Sequence, residues 1–575
     1  MPDCGTSGFN ALRGSREIEG YLKSTQGKIK WDAIAVHPYG NIDGTRGFYD
    51  IDKETQYLID LMKKYGYGKD TPIYFTEGFH ITPLNISEWG NGDAYGSVSP
   101  SYDLGNGEYI QACLAARYYI MGLKYHPQLQ QMNIWRRRFF MDQNLTPIAL
   151  PKAVNTLGNL FPDPSFVSDI RPANGVRGYV FDEKGKGVAA IWCTIDRVED
   201  GYAKGPVMRV KFTGKAPELI DLMGNVRPLN VKDGVAAIQL TPAPLFLRGD
   251  DPQALAEALK DAEVLGADTN ITVNFIPTKT GSIVTDISNQ TGHEQKGSLE
   301  IAGKTVEFDL AGNKNEKQTI AAGDGNSCGK MYCFKDDYTV KMKDCPPQTK
   351  PWNMHYFYVS QVNGNPDWSK IPSIPITNYH MEKGEFDKNF KAKYQIAYDT
   401  KNLYLRVECE KPELLLNKKY FTQPWYKRSL WHLDGCLEVY IDTGANGRRN
   451  QRKGYDLDDY RYDFAMGNPE GKSGPGLVWR MVDVHWQLAG GLEFPTKEEV
   501  AEKVKCQFIR TEKGFIYEIT LAQRYLEPFV LNPGNMAGFG LVIHNKKDSS
   551  HLTTASEKGA HCYIRPDLWP IMILK

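Results

Sequence analysis

Three short stretches near the start of the chain carry side chains suited to chemistry on sugars. Residues 71–80, TPIYFTEGFH, set one carboxylate, Glu77, at the end of a short apolar run and directly before Gly78. Residues 31–40, WDAIAVHPYG, repeat the form, an apolar run followed by polar His37 and Tyr39. Trp135 closes a third run. A carboxylate held rigidly at a strand end can attack an anomeric carbon, and the glycine after it leaves room for substrate close to the backbone. Hydrogen bonds from His37 and Tyr39 to its ionised form would keep it charged at neutral pH. The plainer reading of Glu77 is a strand-end residue paired with a surface cation. Trp135 would give a pyranose a wall to stack on, or simply fill a core. The neighbouring Arg136, Arg137 and Arg138 fit a carboxylated sugar or a solvated loop. A retaining glycosidase needs a second carboxyl about 5–5.5 Å from the first. The only Glu residues before Trp31 are Glu17 and Glu19, and both fall inside a presumed helix.

Those side chains need elements to hold them. Residues 1–160 alternate between strand and helix patterns. Glu17–Gln26 reads as a helix and Trp31–Val36 as a strand, and Glu54–Tyr65 sets Tyr57, Leu58, Leu61 and Met62 on one helical face. Ile73–Thr76 is the next strand, residues 81–106 a long Gly/Asn/Ser/Pro loop containing Trp89, Glu108–Tyr125 a helix and Gln130–Trp135 a third strand. That order with short connections predicts parallel strands. A full eight-stranded barrel takes roughly 250 residues, and about 135 residues reach only the end of the third strand. The expected fold class is therefore α/β plus all-β, multidomain: a partial (β/α)8 barrel of about strands 5–8, then β-sandwich domains. A small three-layer α/β domain complete in itself is the alternative.

After Trp135 the texture becomes strand and turn. Residues 161–250 read as an antiparallel sandwich packed on the barrel, with strands at Gly178–Phe181, Gly187–Thr194, Val207–Phe212 and Ala236–Leu240. Asp251–Glu263 is a short Ala/Leu-rich helix or linker. Residues 251–350 continue as an immunoglobulin-like spacer, and 351–575 as a larger β-rich unit expected to fold independently. There the stretch from Asp399 to Val407 predicts a hairpin about an Asp-Thr-Lys-Asn turn.

Composition sets limits on partners. Lys+Arg and Asp+Glu both number 69, so no net field favours nucleic acid or an anionic membrane. No run of about 18 apolar residues is present, and Met1–Gly5 lacks the basic-then-apolar pattern of a signal peptide. Aromatic residues make up 12%, which suits stacking on sugar faces as well as β-rich cores. The cysteines match no zinc spacing. A disulfide among Cys328, Cys333 and Cys345 is left open, and Cys193, Cys409 and Cys506 read as small buried hydrophobes.

WDAIAVHPYG, TPIYFTEGFH and the Trp of the third run resemble strands six, seven and eight of clan A retaining glycoside hydrolases, especially families 39 and 51. The resemblance implies that Glu77 is the nucleophile, with His37 and Tyr39 on the strand before it. GYVFDEKGKGVAAIWCT, ELIDLMGNVRPL and TPAPLFLRG resemble the β-domain packed beside such barrels. The family's acid/base Glu follows an Asn at the end of strand four, and no Asn-Glu precedes Trp31. The resemblance thus implies a hydrolase truncated before its acid/base, whose intact form is secreted or cell-surface. The rival is a non-catalytic polysaccharide-binding or scaffold protein with a vestigial barrel.

KAKYQIAYDTKNLYLRVECEKPE, SLWHLDGCLEVYIDTG, FIYEITLAQRYL and GFGLVIHNKKD resemble the family 9 carbohydrate-binding module. In sugar-binding members an aromatic pair clamps a terminal saccharide, which makes Trp425, Trp431, Trp479 and Trp486 the candidates. Asp434 and Glu438 fall where the family keeps acidic residues near the site or a structural calcium. The loop Asp456–Asp459 would suit Ca²⁺, although solvated acidic loops are commoner. The resemblance implies no other cofactor and a polysaccharide or oligosaccharide partner.

Overall fold

The computed structural model describes residues 3–4, 11–36, 51–76, 106–133, 149–173, 175–193, 205–266, 270–322, 325–343, 345–381, 389–411, 413–421, 430, 433–445, 447, 459–482, 495, 497–547, 549–560, 562 and 565–575. Its first part is a four-stranded parallel sheet, β1 (Asp3–Cys4), β2 (Ile34–Val36), β3 (Ile73–Phe75) and β4 (Leu129–Met132), in that spatial order. Helices α1 (Ala11–Thr25), α2 (Ile51–Lys64) and α3 (Asn106–Leu123) lie between successive strands, and α4 (Ala149–Leu160) follows β4. Sequential parallel order with a helix at each crossover is what βαβ units produce. The face expected on α2 is the packed one, with Leu58, Leu61 and Met62 buried and Tyr57 half-buried.

Two elements escaped the sequence pattern. β1 is two residues long, and α4 carries Pro151. The proline sits in the first turn, where its missing N–H costs no helical hydrogen bond. Leu150, Ala153, Leu157 and Leu160 then form the buried stripe of α4.

Residues 165–265 form two antiparallel sheets. The larger contains Val176–Glu183 and Lys186–Cys193, and it is buried on both faces. Tyr179, Phe181, Val188, Ala190 and Trp192 join one core with Leu61, Phe75, Tyr118 and Leu157 of the α/β part. Val180, Ala189 and Ile191 point the other way, into a core shared with Val210, Ile238 and the helix Pro252–Lys260. Asp251 caps that helix by accepting from the N–H groups of Gln253 and Ala254.

Residues 271–361 contribute a three-stranded sheet facing the strands Gln295–Ile301, Met331–Met342 and Gln348–Gln361. The last of these also begins the sheet system of the C-terminal part, whose core gathers Tyr394, Leu405, Val439, Tyr462, Phe515 and Phe539. The expected hairpin is present. Lys391–Tyr398 pairs antiparallel with Asn402–Glu410, and Asp399 Oδ1 accepts from the N–H groups of Lys401 and Asn402 at 2.7 Å each. Cys328, Cys333 and Cys345 are free thiols. Among the described residues no helix is long and apolar enough to cross a membrane.

Candidate functional site

The C-terminal ends of β2, β3 and β4 lie side by side. Val36 pairs with Phe75 and Phe75 with Met132. Thr76 N–H donates to Val36 O at 3.2 Å, Asn133 N–H to Phe75 O at 2.8 Å and Asn133 Nδ2 to Thr76 O at 3.3 Å. Glu77, His37, Tyr39 and Trp135 lie outside the described residues, one to three positions further along these strands in sequence. The ladder therefore fixes the three strand ends from which these positions follow.

One buried carboxylate ties this α/β part to the sheets after it. Asp52, in the first turn of α2, accepts from Tyr125 Oη at 2.6 Å and lies 3.0 Å from Lys124 Nζ. Arg177 reaches its other oxygen at 2.5 Å and Arg171 approaches to 3.4 Å. Burial alone would raise the carboxyl, but Arg177, the Tyr125 hydroxyl and Lys124 outweigh it and hold Asp52 below its ordinary value.

A second polar constellation lies in the C-terminal part. Along Leu437–Asp442, Leu437, Val439 and Ile441 enter the core, which turns Glu438 and Tyr440 to the opposite face. The neighbouring Asp459–Met466 strand does the same, with Tyr460, Tyr462 and Phe464 inward and Arg461 and Asp463 on the Glu438 side. Register sets Glu438 opposite Asp463 and Tyr440 opposite Arg461. Arg461 Nη2 donates to Glu438 Oε1 at 2.6 Å, and its Nε and Nη2 reach the two oxygens of Asp463 at 2.8 and 3.1 Å. The Tyr440 hydroxyl donates to Glu438, and His544 Nε2 lies 2.8 Å from Glu438 Oε1. His551 stands edge-on to His544 at 4.5 Å and stacks on half-buried His380 at 6.0 Å. Burial pushes Asp463 up to about 6, and Glu438 adds to this against the pull of Arg461.

Trp479 is the one aromatic candidate of this part within the described residues. It sits directly across from Asp463 on the strand Gly474–Val482, half-buried against the cluster of Tyr420, Leu433, Cys436 and Ala465. Trp425, Trp431 and Trp486 lie outside the described residues. Glu438, Arg461 and Asp463 are buried and bonded to one another, so of this set the half-buried Trp479 indole is the group that could cover a sugar's apolar face. Glu438 was legible from the sequence as an acidic position. Arg461 and His544 were not, because only strand pairing brings them to it.

Asp434 is already engaged. Lys411 donates to it, and the N–H groups of Leu415 and Lys546 reach its two oxygens at 2.8 and 2.9 Å. Lys411 also donates to Asn545 Oδ1 at 2.7 Å. Among the described residues no group of three or more His, Cys, Asp or Glu side chains could hold a metal ion. Asp456, Asp458 and Leu457 of the acidic loop lie outside those residues, while Asp459 is buried.

The family model for carbohydrate family 9 binding domain-like proteins matches residues 362–575. The chain carries a family 9-like carbohydrate-binding domain. The match spans Glu438, Arg461, Asp463, Trp479 and His544. Among solved structures, the chain is similar to a family 9 carbohydrate-binding module from Caldicellulosiruptor kristjanssonii in complex with glucose, at 15% identity and a TM-score of 0.26, over 38% of this chain and 95% of that one. The same module in complex with cellotriose gives 15% identity, a TM-score of 0.26 and coverage of 38% and 92%. A family 39 glycoside hydrolase from Bacteroides cellulosilyticus WH2 is similar at 16% identity and a TM-score of 0.33, over 42% of this chain and 48% of that one. No curated protein matches the chain.

Proposed function

We propose that this chain acts on polysaccharide, with residues 351–575 binding saccharide and residues 1–250 belonging to a retaining glycoside hydrolase. The family match over residues 362–575 carries the binding half of this reading. In it, Trp479, with Trp425, Trp431 or Trp486, supplies the stacking face, and the buried Glu438–Arg461–Asp463 set holds the strands beneath it in register. An aromatic face preset by strand pairing loses little freedom when ligand arrives, which favours binding. The test is calorimetric titration of the chain with glucose, cellotriose and a panel of plant and algal oligosaccharides. Saturable binding that Trp479→Ala weakens about tenfold or more, with the urea midpoint of the domain retained, supports the site. Absence of binding across the panel overturns the reading.

The hydrolase half rests on the sequential parallel order of β1–β4, on their aligned C-terminal ends and on the core shared with the sheets that follow. In this reading residues 1–160 are half of a (β/α)8 barrel and 161–250 its packed β-domain. Glu77 attacks the anomeric carbon, oriented by His37 and Tyr39, while Trp135 carries the ring. A second carboxyl must protonate the leaving oxygen, and no Asn-Glu pair of the kind that supplies it precedes Trp31. Loss of that proton transfer removes roughly 10²–10⁴-fold of rate, so the chain is expected to show no appreciable turnover of aryl glycosides. Turnover abolished by Glu77→Gln would show that another carboxyl serves.

A non-catalytic polysaccharide-binding protein is the second reading. The family match over residues 362–575 supports the binding part in this reading as in the first.

A further inference from the structure

Two strands of the C-terminal half belong to two hydrophobic cores at once. On Gln348–Gln361, Trp352, Met354, Tyr356 and Tyr358 pack with Phe275, Tyr332, Tyr338 and Val340 of the preceding unit. Phe357 and Val359 of the same strand face the other way and pack with Tyr394, Phe539 and Leu541 of the binding domain. The strand Ile571–Leu574 repeats this division residue by residue. Ile571 and Ile573 enter the first core, Met572 and Leu574 the second.

Register explains the match. Ile571–Leu574 lies between the strands Gln348–Gln361 and Met536–Asn545, parallel to one and antiparallel to the other. Tyr356 is paired with Ile571 and Tyr358 with Ile573, whereas Phe357 is paired with Met572 and Val359 with Leu574. Side chains alternate across a strand, so paired residues share a face and the two faces stay in phase. Polar contacts cross the same seam. Tyr358 Oη donates to Thr278 O at 2.7 Å and Lys575 Nζ to Asn326 O at 2.9 Å.

We infer that residues 271–361 and the saccharide-binding domain are one cooperative folding body, built about a shared two-strand wall, and not a spacer with a detachable module. The family match begins at residue 362, one position past the first wall strand. A fragment cut there keeps Met572 and Leu574 but loses Phe357 and Val359 from its core, and it turns Ile571 and Ile573 toward water. The binding face would then be held at a fixed attitude to the sheets before it, and a perturbation on either side of the wall would reach the other.

The experiment uses the full chain and hydrogen–deuterium exchange resolved by peptide across a urea series. One reporter is Ile271–Pro277, which lies wholly in the first core, and the other is Leu437–Asp442, which lies in the second. The wild-type chain should lose protection in both reporters at one urea midpoint. Ile573→Ala, which touches only the first core, and Leu574→Ala, which touches only the second, should each move both midpoints together. Each should also raise exchange about tenfold or more in both reporters. Separate wild-type midpoints, or variants that each loosen only their own side, would overturn the inference. The wild-type measurement decides the matter even if a variant fails to fold.

Discussion

Arg461 stands between two buried carboxylates, Glu438 and Asp463, each within 3 Å of its guanidinium. Removing the cation leaves two like charges facing each other without water, so Arg461→Met should destabilise the binding domain by about 3–5 kcal/mol. Urea denaturation followed by the domain's tryptophan fluorescence measures it. The same pair gives the domain an unusual response to pH. Asp463 is raised from 3.8 to about 6 in the folded state, so the native protein holds its proton where the unfolded chain has released it. Stability from this group is present below about pH 4 and declines as pH rises through about 6. Asp52 has the opposite sign, since its folded value is lowered: its contribution is present above the ordinary carboxyl range and fades as pH falls through the depressed value. Asp463→Asn should therefore flatten the decline between pH 4 and 6 in urea midpoints reported by residues 437–466, with the acid limb at α2 unchanged. At this scale the sequence supplied residue types but not meetings. Trp479, Glu438 and the acidic positions were readable as polar or aromatic punctuation of strands. His544 is too distant in sequence for any local pattern to place it beside Glu438.

Elements were most legible where one face repeats. α2 and the 391–410 hairpin announced themselves by period, and the hairpin also by its Asp399 turn. The sheet containing Val176–Glu183 was found as strands, but its burial on both faces was not foreseeable, because that depends on α3 and α4 covering one side. The turn Asp221–Asn225 shows how such a face is docked. Asp221 Oδ1 accepts from the N–H groups of Met223 and Asn225 at 3.0 and 2.9 Å, and its Oδ2 meets Arg227 at 2.8 Å. Gly224 has φ +83°, and a Cβ there would stand 3.0 Å from Thr156 Oγ1 on α4. An L side chain in the left-handed region costs about 1–2 kcal/mol before any clash. Gly224→Ala should destabilise the first 265 residues by at least that amount, while exchange protection at Leu437–Asp442 stays at the wild-type level.

At the scale of the whole molecule, buried polar contacts among the described residues join the α/β part to the sheets after it. Arg117 of α3 is fully buried, donating to Pro242 O at 3.0 Å through Nε and to Cys193 O at 3.2 Å, with its guanidinium over the Trp192 ring. Together with the Asp52–Arg177 pair it binds helices of the α/β part to strands of the next. Arg177→Met leaves Asp52 with Lys124 and distant Arg171, and should destabilise both parts together by about 3–5 kcal/mol. Matching losses of protection in α2 and in Val176–Glu183 would report it; a loss in one alone would show that the joint is looser than its geometry. Sequence reading divided the chain where texture changes, and such changes mark strand and helix composition well. They do not mark which apolar rows serve two neighbours, since Trp352 and Phe357 look alike as core residues until their faces are known.

The wall strands also set a schedule. About 210 residues separate the strand Gln348–Gln361 from the strand Ile571–Leu574 that pairs with it. At 5–20 residues per second, a ribosome needs roughly 10–40 s to make that interval. Throughout it, Tyr356, Phe357, Tyr358 and Val359 exist without their lateral partner, on a strand whose free edge is a template for wrong pairing. Nascent chains of this protein should therefore pass through a long aggregation-sensitive window during synthesis. Chaperones that cover apolar β-edges should raise soluble yield most by acting before residue 571 is made.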